Sequence, residues 1–236
     1  MNLADTRTKV LIVIAVILLI AGGLYVRKLI KKSGLHDEYV KNGYNFLRNE
    51  NWEQALIEFK NAAEVRPESH DAHFGIGAVY LKQKKIPAAI AALEKAVKIN
   101  PDMVEAHYSL GVAYHRIKNL ELALREYKEI LRLNPESFQT YNNIGGIYLS
   151  QGKYEEAIKY FKEALNKQPG YYQAYLNIGK INELQGNTAE ALKIYKKFIE
   201  VSANIPELAE FVPVAIYRVK KLEQDTKKTT ISRKQR

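Results

Sequence analysis

A single period of 34 residues governs most of this chain. Prolines stand at Pro67, Pro101, Pro135 and Pro169, each 34 residues after the last. Glycines keep the same step at Gly43, Gly77, Gly111, Gly145 and Gly179, and alanines at Ala55, Ala89, Ala123, Ala157 and Ala191. Two aromatic-rich rows follow in register: Phe46, Tyr80, Tyr114 and Tyr148, then Phe59, Leu93, Tyr127, Phe161 and Tyr195. A fixed period of this length is the mark of a repeat array, in which each unit buries its apolar face only against its neighbours.

Within each period the apolar residues recur at three- and four-residue steps, which predicts two helices per repeat. In the third, Leu110, Tyr114 and Ile117 mark a first helix (helix A), and Leu120, Leu124, Tyr127 and Leu131 a second (helix B). Small residues such as Gly111 and Ala123 allow the two to approach closely. Asn-Pro at 100–101 and 134–135 should stop helix B, because proline has no N–H to donate and disfavours a helical predecessor.

With these rows in place, residues 36–205 resemble the tetratricopeptide repeat family, in five windows: 36–69, 70–103, 104–137, 138–171 and 172–205. The resemblance implies an all-α, right-handed superhelical solenoid of helix-turn-helix repeats. The fifth window departs from the pattern: Asn182 replaces the aromatic, and Ala203 stands where proline is expected, with Pro206 displaced by three. The first has Asn42 in place of an aliphatic residue. An array of this kind needs a cap at its open end. Residues 206–225 supply one, with Leu208, Phe211, Ala215, Val219 and Leu222 as its apolar stripe. Arg218, Lys220, Lys221 and Glu223 should face water, and Pro213 should kink or start the helix. Residues 226–236 have no apolar pattern and are expected to be a disordered basic tail.

Ahead of the repeats, after a short tail over 1–9, the run from Val10 to Val26 contains no charged residue. At about 1.5 Å per helical residue it nearly spans a ~30 Å hydrocarbon core. Leu29 and Ile30 extend it if Arg27 and Lys28 snorkel, so residues 10–30 read as one transmembrane helix. A cleaved signal peptide is the competing reading, but no small-x-small cleavage site is evident. Arg27, Lys28, Lys31 and Lys32 after the run outnumber Arg7 and Lys9 before it, which places the repeats on the cytoplasmic side. A periplasmic or other extracytoplasmic position is the alternative.

The formal charge of +10 is uneven. Residues 1–35 carry net +5 and 206–236 net +4, leaving the 36–205 array at +1. A nucleic-acid-binding array would concentrate basic charge on its folded body, so no nucleic-acid partner is expected. There is no cysteine, hence no disulfide or thiolate metal site. His73 and His107 share one register position, but no further ligand completes a metal set. No phosphate-cradling loop or nucleophile elbow is present. The chain is read as non-enzymatic, with no cofactor and no metal.

In the family it resembles, the inner face of helix A lines a concave groove that holds peptides. Carried onto this sequence, the groove splits into two halves. The first is apolar and aromatic: Val40, Tyr44, Phe74, Ala78, Leu81, Tyr108 and Val112. The second is amide-rich: Gln139, Asn142, Asn143, Gln173 and Asn177. Amides donate and accept at once, so Asn143 and Asn177, one repeat apart, suit an extended backbone. The bland alternative is repeat packing with solvated amides. Arg48, Lys82 and Arg116 form a basic row, a candidate contact for an anionic ligand. Asp37, Asp71 and Glu105 form an acidic one; complementation of helix dipoles explains both rows with one cause. The family's carboxylate clamp is missing, since Val40 and Tyr44 replace its first lysine and asparagine. These features predict a membrane-anchored adaptor or assembly factor for protein partners. A self-assembling scaffold (a homo-oligomer) and the regulatory subunit of an enzyme complex are the alternatives.

Overall fold

The computed structural model describes residues 32–234, and among these every regular element is helical. The described part of the first helix, α1, covers 32–48. Nine helices then follow in A/B alternation: α2 (Trp52–Val65), α3 (His70–Lys82), α4 (Ile86–Ile99), α5 (Val104–Arg116), α6 (Leu120–Leu133), α7 (Phe138–Ser150), α8 (Tyr154–Lys167), α9 (Tyr172–Leu184) and α10 (Thr188–Ser202). A 3-10 turn at Pro206–Leu208 leads to α11 (Val212–Lys234). The chain divides into two compact units, residues up to Ala113 and residues from Tyr114.

Two local devices repeat. The first four B helices each end on a residue with φ near −130° ahead of its proline: Arg66 (φ −135°), Asn100 (φ −127°), Asn134 (φ −137°) and Gln168 (φ −137°). This is the conformation a following proline imposes. Each A-to-B turn passes through a left-handed residue, at Glu50, Lys84, Lys118, Gly152 and Gly186, with φ between 57° and 72°. Three of the five are not glycine, so the reversal is held at a local cost. Asn51 and Asn119 cap the helices that follow, accepting from the Gln54 and Leu122 amides at 3.2 and 3.3 Å.

The glycine row and the second aromatic row meet. A Cβ on Gly43 would lie 2.7 Å from the Phe59 ring, one on Gly77 2.6 Å from Leu93, and one on Gly145 2.7 Å from Phe161. On Gly179 it would collide with Tyr195. Helix A therefore gives up its side chain where helix B inserts a large one, and Phe59, Leu93, Phe161, Tyr195 are all sealed from solvent. In unit 1, Phe59 anchors a cluster with Ala55 and Val79. In unit 2, Phe161, Ala164, Ala174, Ile178 and Ile181 form one cluster, and Tyr175, Ala191, Tyr195, Phe198 and Ala215 another.

The cap packs on that last cluster through Leu208, Phe211, Val219 and Leu222, and Phe211 stacks on Tyr172 at 3.6 Å and 10°. Pro213 sits in the first turn of α11, so it starts the helix. Arg218, expected in water, instead reaches the Glu183 carboxylate at 3.4 Å.

Three expectations need correction. Residues 226–234 are helical, not disordered: α11 continues to Lys234. Lysine and arginine are good helix formers, and a helix already nucleated on the cap extends cheaply. Asp37 does not start its helix, because α1 is already running at residue 32; its carboxylate pairs with His36 Nδ1 at 2.7 Å. Ile117 lies beyond the end of α5 and is 49% exposed, so it is a turn residue. The run over 10–30 and the tail over 1–9 lie outside the described residues. Among the described residues no helix is long and apolar enough to cross a membrane.

Candidate functional site

The candidate groove residues all lie on the A helices of their repeats. In unit 1, Val40 and Tyr44 come from α1, Phe74, Ala78 and Leu81 from α3, and Tyr108 and Val112 from α5. All are half-buried except Tyr108, which is 44% exposed. Tyr44 meets Phe59 edge-on at 5.0 Å, so its ring packs against the core. Burial first, then the carboxylates of Asp71 and Glu105, push its pKa up to about 12. Tyr44 thus reports that acidic groups of the next two repeats share its neighbourhood. The sequence reading assigned these acids to helix dipoles alone. Asp71 and Glu105 do lie in the first turns of α3 and α5, so the dipole contribution stands beside this second one.

The basic row is also placed. Lys82 closes α3 and extends over the Trp52 ring, 5.9 Å from its centroid. Arg48, at the end of α1, is exposed. Arg116 ends α5 in the second unit and is likewise exposed.

In unit 2 the amides lie on α7 and α9. Gln139 is exposed, and Asn142, Asn143, Gln173 and Asn177 are half-buried. One pair of these amides is joined, and it is not the pair the spacing suggested: Asn177 Nδ2 donates to Asn142 Oδ1 at 3.3 Å. The step is 35 residues where the sequence suggested 34 with Asn143. The Gln173 amide oxygen is shielded from solvent and accepts no hydrogen bond among the described residues. A buried acceptor left open carries a desolvation cost of about 1–3 kcal/mol, which an incoming donor would recover.

The histidines have structural work. His73 Nε2 donates to the Pro67 carbonyl and His107 Nε2 to the Pro101 carbonyl, both at 2.8 Å, tying helix A to the preceding turn. His36, 3% exposed, joins Ser69 through Nε2 at 2.7 Å. Beyond the groove, a polar link missed by the sequence reading joins α9, α10 and α11. Tyr195 donates to Glu183 at 2.6 Å, and Arg218 meets the same carboxylate. Burial, then this carboxylate, holds the Tyr195 phenol well above its ordinary range.

A fold of repeated helical hairpins defines a class of helical-repeat interaction proteins. The tetratricopeptide patterns match residues 79–118, 104–137 and 136–204, continuous over 79–204, and the chain belongs to the tetratricopeptide repeat family. Solved structures agree on the fold. A MamA protein shares 24% identity at a TM-score of 0.68, covering 75% of this chain and 97% of that one. YrrB, described as a TPR protein with an unusual peptide-binding site, shares 22% at 0.62, covering 77% and 90%. PilF of Pseudomonas aeruginosa shares 21% at 0.63, covering 81% and 93%. No curated protein matches the sequence.

Proposed function

We propose that this chain is a non-enzymatic adaptor that holds segments of partner proteins on its helix-A faces, tethered to a membrane by residues 10–30. The observation that carries the first half is the in-register apolar and aromatic row on α1, α3 and α5, half-buried except for Tyr108, which is 44% exposed. Large aromatic side chains held open on rigid helices are what binding hot spots are made of. The open acceptor of Gln173 and the Asn142–Asn177 pair supply backbone-directed polarity in the second unit. The tether rests on the uncharged Val10–Val26 run and on the four basic residues behind it, which favour a cytoplasmic domain. Anchoring would raise the effective concentration of partners at the membrane.

The test is capture from native membranes. A photo-cross-linking residue at Tyr108 should trap specific partners. Those adducts should vanish in a folded variant carrying Tyr44→Ala, Phe74→Ala and Asn177→Ala. Unchanged adducts would reject the groove. Carbonate extraction of the full chain checks the tether: release into the soluble fraction would reject it.

One observation favours a second reading, self-assembly. Val214, Ile216 and Tyr217 on α11 are 48, 38 and 63% exposed. If that face joins copies, light scattering in detergent will show mass rising with concentration, and Tyr217→Asp will abolish the rise.

A further inference from the structure

Three consecutive helices A of unit 1 carry two kinds of group at related register positions. Tyr44, Phe74 and Tyr108 supply aromatic surface, and Asp71 and Glu105 supply carboxylates. Phe74 and Tyr108 each follow their acid by three residues, so acid and ring lie on one helix face about 5–6 Å apart. Asp71 is 45% exposed, Glu105 is exposed, and the Asp71 carboxylate has His70 Nδ1 at 3.3 Å.

Two considerations fix the sign of the field. Each helix N-terminus offers about half a positive charge against the full negative charge of its acid. The balance is negative on both α3 and α5. The raised Tyr44 pKa is consistent with this sign: burial raises it most, and the two carboxylates add to the rise. The lysine and arginine side chains of α3 and α5 stand at the opposite ends of those helices, and the basic group beside Asp71 is the His70 imidazole. Lys82 is eleven positions from Asp71, about 16 Å along the axis, and is already turned to Trp52.

Aromatic faces with negative charge beside them attract cations, through the ring quadrupole and through ion pairing. We infer that the helix-A face of unit 1 takes a partner segment in which a lysine or arginine adjoins an apolar residue, the cation seated between Asp71, Glu105 and the Tyr44, Phe74 and Tyr108 rings. This inference rests on the groove reading above and adds its charge preference. The apolar neighbour lies on Val40, Ala78 and Val112. An acidic segment would meet the same two carboxylates and be repelled.

The test uses the full chain in detergent micelles and random peptides displayed on phage. Peptides are kept if they bind the native chain and fail to bind a variant with Tyr44→Ala, Phe74→Ala and Tyr108→Ala, whose helicity is checked by circular dichroism. The kept peptides should be enriched in lysine or arginine beside an apolar residue. Their affinity should fall roughly tenfold with Asp71→Asn plus Glu105→Gln, and fall with added salt. Asp71→Lys plus Glu105→Lys should turn the selection toward acidic peptides. Kept peptides with no basic enrichment, or with affinity indifferent to Asp71→Asn plus Glu105→Gln, overturn the charge preference and leave the groove standing. Failure to find any peptide that separates the native chain from the triple-alanine variant overturns both.

Discussion

Tyr44 shows how one side chain can serve packing and recognition together. Its ring is held edge-on to Phe59, and its hydroxyl is kept protonated first by burial and then by the charges of Asp71 and Glu105. The native state keeps the phenolic proton up to about 12, whereas an unfolded tyrosine releases it near 10.0. Folding stability from this group is therefore complete below pH 10 and is lost as pH rises through 12. Urea midpoints measured across that window should fall with pH, and Tyr44→Phe should flatten part of the fall. Equal slopes in the two proteins would contradict the placement of the hydroxyl. Residue by residue, the sequence was legible where one position has one task. The four prolines stop four helices because their chemistry leaves no choice. It was illegible where a contact crosses repeats. Asn142 and Asn143 are indistinguishable by spacing, and only the rotation of α7 against α9 selects Asn142 as the partner of Asn177. Glu50, Lys84 and Lys118 also escaped notice, since charged residues give no sign of a left-handed turn until Gly152 and Gly186 are seen at the same register.

At the scale of the element, the hairpin is set by a gap and its filler. Gly145 and Gly146 lie side by side in α7 and make opposite predictions. A methyl group on Gly145 would press into Phe161, whereas one on Gly146 would meet nothing within 4 Å. Gly145→Ala should destabilise by about 1–3 kcal/mol through overpacking. Gly146→Ala should stabilise by roughly 0.5–1 kcal/mol, because alanine is the better helix former and the site is open. Thermal unfolding of the two variants checks both signs. Helix existence was legible from the three- and four-residue apolar steps, and helix ends only where proline marks them. Ile117 was counted into α5 for its apolarity, and the left-handed Lys118 beside it shows why the helix had already ended. The tail after Asp225 was misjudged for a related reason. Apolar periodicity reports burial, and an exposed helical extension needs none once its first turns are docked.

For the molecule as a whole, the ends carry the charge and the array carries the contacts. The last repeat would present Tyr172, Tyr175 and Phe198 to water without the cap. Phe211 covers Tyr172 by direct stacking, and Arg218 closes onto Glu183 beside it. Phe211→Ala should cost toward the lower end of the 3–5 kcal/mol typical of buried phenylalanine, since Phe211 is only half-buried. Hydrogen exchange should show that loss in α9, α10 and α11 of unit 2 while amides of α2 and α3 in unit 1 keep their protection. Uniform loss would mean that the cap stabilises far more than the repeat it covers. The cap was legible as an apolar stripe; its polar lock was not, because Glu183 and Arg218 are 35 residues apart and neither belongs to a repeated row.

The glycine opposite each large helix-B residue has a consequence for ancestry. Because four hairpins carry both a notch and the side chain that fills it, a duplicated stretch of one such period arrives with matching halves already inside. The gene could gain or shed such a stretch in a single recombination and still encode hairpins that close. Length, and with it the number of partner residues that can be read, is then the trait most readily altered by descent, while the two ends, being unlike anything between them, are the parts that cannot be copied in.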